Sequence, residues 1–144
     1  MSDAPIESES DFFQRVKKRT YGSVEWERIE PSNESGFPDT HFVVRSRLGK
    51  GPEGTLEFKF KDGVGTPDLS GDLVRGTQKS ALIEYYQAGG RRRFFLVYTG
   101  RGDVWFYTTE AAYNAILGKE NQPSALAQME EPSFCAWLLS LLKE

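Results

Sequence analysis

Alternation of apolar and charged residues is cleanest between Thr55 and Lys61. There Leu56, Phe58 and Phe60 fall on one side of an extended chain, and Thr55, Glu57, Lys59 and Lys61 on the other. A second strand is predicted over 39–47 from Thr40, Phe42, Val43 and Val44, with 49–54 as a glycine-rich turn between the two. Val24 to Ile29 reads as a short edge strand with Val24 and Trp26 on one side and Glu25 and Glu27 on the other. Phe94 to Tyr98 is continuously apolar, as expected of a central strand buried on both faces, and Val104 to Tyr107 follows it as another strand.

Helical spacing marks the remaining elements. Ser8 and Asp11 fit a capping box opening a helix over 9–20, with Phe12, Phe13 and Val16 inward and Arg15, Lys17, Lys18 and Arg19 outward. A helix over 78–88 is predicted behind a Thr77 cap, with Ala81, Leu82, Tyr85 and Tyr86 inward and Gly89-Gly90 as its stop. Another runs from a cap at Thr108 or Thr109 to about Leu117. After a polar linker, Glu131-Pro132-Ser133 opens a last helix carrying Phe134, Trp137, Leu138, Leu141 and Leu142, expected to pack on the sheet. Residues 62–76 show no apolar period and read as a long loop, a length unusual in a small domain unless it serves a site. We expect it to close over a nucleic acid.

The order strand, turn, strand, loop, helix, strand predicts an α/β fold, with the strands at 55–61 and 94–98 parallel and the helix over 78–88 as their crossover. With 144 residues, 38% hydrophobic and 13% aromatic, the chain suits one domain. The lone cysteine, Cys135, excludes an internal disulfide framework or a cysteine-based zinc site. Neither a signal peptide nor a membrane-length apolar run is present, so a cytoplasmic protein with no membrane partner is expected. A net charge of −3 leaves any phosphate binding to local basic clusters.

Candidate chemistry gathers where those strands end. Clefts in such sheets lie beyond the carboxyl ends of parallel strands, here near Lys61, Tyr98 and the start of the helix at Gln78. Asp39, Glu57 and the Phe58 backbone carbonyl offer the hard oxygens that a magnesium ion takes, and Lys59 could orient a water or stabilise charge on a phosphate. The set suits metal-dependent cleavage of a phosphodiester.

Gly36-Phe37-Pro38-Asp39, Glu57-Phe58-Lys59, Gln78 and Ala88-Gly89-Gly90 resemble, in order and spacing, the PD-(D/E)XK nuclease superfamily. Within it they look most like the virus-type replication-repair nuclease domains and the Holliday-junction resolvases, including stand-alone phage versions. The resemblance covers about residues 8–107 and leaves out the C-terminal helices over about 109–143. It implies a restriction-endonuclease-like core, a mixed central β-sheet flanked by helices, and a Mg2+- or Mn2+-dependent endonuclease. Asp39 and Glu57 would be ligands, Lys59 the catalytic lysine and Gln78 a supporting group near the scissile phosphate. The family often adds an acid from the first helix, here Glu9, with Glu7 and Asp11 as competitors. DNA, branched or in a Holliday junction, is the implied partner, with a homodimer needed for symmetric cleavage.

Other readings stand beside it. A Glu-x-Lys on an alternating strand is most often only a solvated face, and a catalytically inactive module with the same fold, or an RNA-directed nuclease, would share the pattern. Arg101, Lys61 and Lys79 are candidate DNA contacts near the cleft. Arg91, Arg92 and Arg93 are either a phosphate patch or a solvated turn, a helix length from Gln78. His41, the only histidine, is expected to be structural.

Overall fold

The structure, a computed structural model, describes residues 4–28, 40–63, 65–74 and 76–144, without the side chains of Lys50 and Asp72. In chain order its elements are α1 (Glu9–Arg19), β1 (Val24–Arg28), β2 (Thr40–Ser46), β3 (Gly49–Phe60), a single helical turn (Leu69–Leu73), α2 (Gly76–Gln87), β4 (Arg93–Tyr98), β5 (Asp103–Tyr107), α3 (Thr109–Ile116), β6 (Ala125–Gln128) and α4 (Phe134–Leu142). Among the described residues the strands pair in sequence order as a mixed sheet, with β3 and β4 parallel and the other neighbours antiparallel. The expected α/β architecture and parallel pair are both present. Among the described residues, no helix is long and apolar enough to cross a membrane.

The period of two in β3 divides the protein. Leu56 and Phe58 enter a core built with Phe12, Phe13 and Val16 of α1, Phe94 and Leu96 of β4, and Phe134, Leu138 and Leu142 of α4. Phe58 is fully buried and meets Phe12, Phe13 and Trp26 edge-on at ring separations of 5.5, 5.1 and 5.6 Å. Burying such a ring is worth about 1.5–3 kcal/mol, and each edge-to-face pair adds about 0.5–1.5 kcal/mol. The other face is covered by α2, α3 and the 69–73 turn, through Leu69, Val74, Leu82, Phe95, Val97, Tyr107 and Ala112. The C-terminal helices are thus core elements, one on each face, although the resemblance stops before them.

Ser8 caps α1 as expected: its hydroxyl accepts from the Asp11 N–H at 3.1 Å, while the Asp11 carboxylate accepts from the Glu7 N–H at 3.1 Å. Gly89, at φ +97°, ends α2, with its N–H and that of Gly90 donating to the carbonyls of Tyr86 and Tyr85.

Four expectations change. The turn predicted over 49–54 belongs to β3, and the reversal is only Arg47-Leu48, flanked by the Ser46–Gly49 pair. Its glycines serve close approach rather than turning: a Cβ on Gly51 would lie 2.0 Å from the Val44 carbonyl oxygen, and one on Gly54 2.6 Å from that of Arg92. The polar linker before the last helix contains β6, whose four residues are too short to show a period but complete the sheet beside β5. Helix α2 begins at Gly76 rather than behind a Thr77 cap.

The fourth concerns the loop over 62–76. Leu69 and Leu73 flank a turn kinked at Gly71 (φ −84°, ψ −107°) and are buried together with Val74. The Pro67 carbonyl accepts from the buried Tyr107 hydroxyl at 3.3 Å and from the Asn121 amide, and Lys79 donates to the Ser70 carbonyl at 3.1 Å. A segment so anchored is not a lid free to close.

Replacing Leu69 by alanine should therefore lower stability in urea denaturation by about 2–4 kcal/mol, as a core leucine does, where a solvated loop would lose less than about 0.5 kcal/mol. Burial, with Asp68 adding to it, raises the Tyr107 pKa, so the fold favours the neutral phenol. The resulting stability is complete below the unfolded value of about 10 and is lost as pH rises toward the higher folded value, by up to about 1.4 kcal/mol per pH unit. Stability profiles between pH 9 and 11 should fall less steeply for Tyr107→Phe than for the wild type.

Candidate active site

The face of β3 opposite Phe58 carries Glu57 and Lys59, and both are more than nine-tenths buried, at 5% and 8% exposure. Their register partners are Phe95 and Val97 of β4, so the two charges stand beside the apolar residues that α2 covers. This is not the solvated face that a Glu-x-Lys pattern usually makes. The Lys59 ammonium lies 3.5 Å from Glu57 Oε2 and donates to Gln78 Oε1 at 3.1 Å.

Local sequence explains why Gln78 is there. Gly76 enters α2 at φ +51°, a left-handed conformation that costs glycine little, and buried Leu82 fixes the helix on the sheet. The first turn of α2 is thereby held over the carboxyl end of β3. Lys79, one residue on, is turned to the Ser70 carbonyl instead.

The Phe58 carbonyl is also placed by the ladder. Thr55 and Lys61 donate N–H groups to Arg92 and Tyr98 across the parallel pair, at 2.9 and 3.0 Å. Odd-numbered residues of this stretch therefore point their backbone groups at β4, and even-numbered ones, Phe58 included, point theirs toward the β2 side. On that side β2 begins at Thr40, and His41 pairs with Thr55 one pleat before Glu57. Asp39 itself, with Gly36, Phe37 and Pro38, lies outside the described residues.

A buried carboxylate and a backbone carbonyl that the β3–β4 ladder does not consume are oxygen donors of the kind magnesium and manganese take. Among the described residues no three acidic, histidine or cysteine side chains converge; the expected set draws its second carboxylate from Asp39, outside them. Glu9, in the first turn of α1, is half-buried, and its helix packs on the opposite face of the sheet from Glu57.

The basic candidates divide. Lys61 and Arg101 are exposed at the carboxyl ends of β3 and β4, the same end as Lys59. Their two loops pack closely: a Cβ on Gly100, at φ +89°, would lie 2.7 Å from Asp62 Oδ1. Arg91, Arg92 and Arg93 stand at the other end of β4, each with its own seat. Arg91 covers the Tyr86 ring at 3.8 Å, and Arg93 covers Tyr85 at 4.2 Å. Arg92 donates to the carbonyls of Glu53 at 3.0 Å, Leu142 at 2.7 Å, and Glu144. It thus caps the carbonyl end of α4, where a cation is also favoured by the helix dipole. Burial lowers its pKa, with Tyr85 acting in the opposite sense. Nothing in the spacing of three arginines distinguishes the middle one, because its partners lie some fifty residues away in sequence.

Half-buried His41 faces Glu53 at 3.8 Å, away from any catalytic role the geometry would give it. Tyr107 is core, whereas Tyr85 and Tyr86 are half-buried supports for the arginines. No protein-family model, curated protein sequence or solved structure matches this chain.

Arg92→Ala should destabilise the protein by about 1.5–3 kcal/mol in denaturant titration, the range for hydrogen bonds to a charged group. Arg91→Ala should cost less, about 0.5–1 kcal/mol, the scale of an exposed cation–π contact. Equal, small losses would contradict the clamp.

Proposed function

We propose that this protein is a metal-dependent endonuclease that hydrolyses phosphodiester bonds in DNA, centred on Glu57, Lys59 and Gln78 with Asp39. The observation that supports it is the buried contact of Glu57, Lys59 and Gln78 at the carboxyl end of a parallel strand pair. Burying an ion pair rarely stabilises a fold more than apolar residues of the same volume. Two opposite charges buried near the carboxyl end of β3, beside Phe95 and Val97, therefore call for a chemical reason. The order of these residues also follows the PD-(D/E)XK pattern, whose restriction-endonuclease-like core the α/β sheet is compatible with.

In this reading Asp39, Glu57 and the Phe58 carbonyl would hold Mg2+ or Mn2+, and the ion would supply Lewis-acid stabilisation of the phosphate and lower the pKa of a water nucleophile. The Lys59 ammonium would donate a hydrogen bond to a non-bridging phosphate oxygen as negative charge builds there. Gln78 holds that ammonium by accepting a hydrogen bond from it through Oε1, which limits its rotation. Water oxygen forms the new bond to phosphorus, the ester oxygen leaves with the electron pair, and the water proton passes to solvent. Exposed Lys61 and Arg101 stand where they can receive the flanking phosphates.

Branched DNA, including four-way junctions, is the proposed substrate class, in recombination, replication or repair. One site cuts one strand, so symmetric resolution requires two copies of the chain.

The test is incubation with four-way, flapped, linear and single-stranded DNA in Mg2+, Mn2+ or EDTA. Wild-type protein should cut at least one substrate only with metal. Glu57→Gln and Lys59→Met, with folding checked by circular dichroism, should each lose on the order of 10²–10³-fold in rate, the scale for removing one electrostatic stabiliser of the transition state. Absence of metal-dependent cleavage of every substrate by pure wild-type protein would overturn the proposal.

A further inference from the structure

The end of the β2–β3 hairpin sets a fully exposed leucine among basic residues. Its sequence is Arg45-Ser46-Arg47-Leu48-Gly49-Lys50, with no acid from Arg45 to Pro52 in a chain of net charge −3. Leu48, at the apex, is 99% exposed, the highest value among the large apolar side chains of the described residues.

The apex is well formed. Ser46 pairs with Gly49, the Ser46 hydroxyl accepts from the Leu48 N–H at 3.2 Å, and Gly49 takes φ +117° to close the turn. Behind it, Arg45 donates its N–H to the Ser23 carbonyl at 2.9 Å and pairs with Glu25. The hairpin thus presents one leucine fully to water with Arg47 beside it.

We infer that this hairpin end is a second nucleic-acid contact: Arg47 seats on duplex phosphates while Leu48 inserts between neighbouring base steps. Apolar wedges flanked by cations act in this way on DNA. A single leucine is far too small for a stable protein interface, which needs about 800 Å² per partner. Reach also agrees. Eight residues of β3 separate Gly49 from Glu57, at most about 26 Å at 3.3 Å each, within the roughly 34 Å of one turn of duplex. One duplex can therefore meet both the Glu57–Lys59 centre and the hairpin, which would place the distortion within a turn of the cut. The choice of DNA as occupant rests on the nuclease reading; the hairpin's geometry does not.

The experiment measures binding of a fluorescent 30-base-pair duplex and a four-way junction by anisotropy, in EDTA so that no strand is cut, over a range of salt. Both substrates carry 2-aminopurine reporters of unstacking. Arg47→Ala should bind about tenfold more weakly and lower the salt slope by about one. Leu48→Ser should keep the slope but lose the 2-aminopurine signal, and Leu48→Phe should retain it. Wild-type affinity, slope and signal in all three variants would overturn the inference, even with cleavage intact. Hairpin-dependent binding without any cleavage would uphold it and sink the nuclease reading instead. Failure of wild-type protein to bind either DNA would overturn it too, as would Leu48-dependent sedimentation with phosphatidylserine–phosphatidylcholine vesicles in place of DNA binding.

Discussion

Phe58 is the residue on which the arrangement turns. Its ring is enclosed by Phe12, Phe13 and Trp26, so the register of β3 is held from one side by aromatic packing worth several kilocalories per mole. A strand has a period of two, and whatever fixes Phe58 inward fixes Glu57 and Lys59 on the reverse face. A slip of one residue would put both charges into the aromatic core. The candidate site is thus positioned by a core it does not touch.

The reverse face then has to accommodate charge under a helix. Helix α2 does so by meeting the sheet with Leu82 and presenting Gln78 to Lys59 at its first turn. The 69–73 turn fills the remaining space with Leu69 and Leu73 and braces α2 through Lys79. Low dielectric strengthens the Lys59–Glu57 attraction and raises the desolvation cost of each charge. An arrangement of that kind contributes little to holding the fold together.

At the far end of the sheet, cations do two different jobs. Arg92 is spent on the carbonyls that end α4 and on the Glu53 carbonyl, joining the C-terminus to the β3–β4 pair. Among the described residues Arg47 makes no such contact, and it stands beside the exposed Leu48. Counting basic residues along the chain gives the cluster at 91–93 the greater prominence, yet the hairpin end offers the freer charge.

Much was legible from local pattern: the capped α1, the alternating β3, the apolar run of β4, and the parallel pairing implied by a helix between them. These depend on periodicity and capping, which neighbouring residues decide. Glu57, Lys59 and Gln78 were readable for the same reason, their strand and helix positions being local properties. Other features depended on partners distant in the chain. Gly51 and Gly54 resemble turn glycines until the Val44 and Arg92 carbonyls are seen against them. The four residues of β6 acquire meaning only from pairing with β5, and Leu69 and Leu73 only from the cavity that α3 and β5 leave open. Sequence by itself determined which face of each long element is apolar and which residues could carry chemistry. Tertiary structure alone decided that the charged face of β3 is buried and that Arg92 is a clamp, because burial and long-range carbonyl contacts are properties of assembled surfaces and leave no period in the chain.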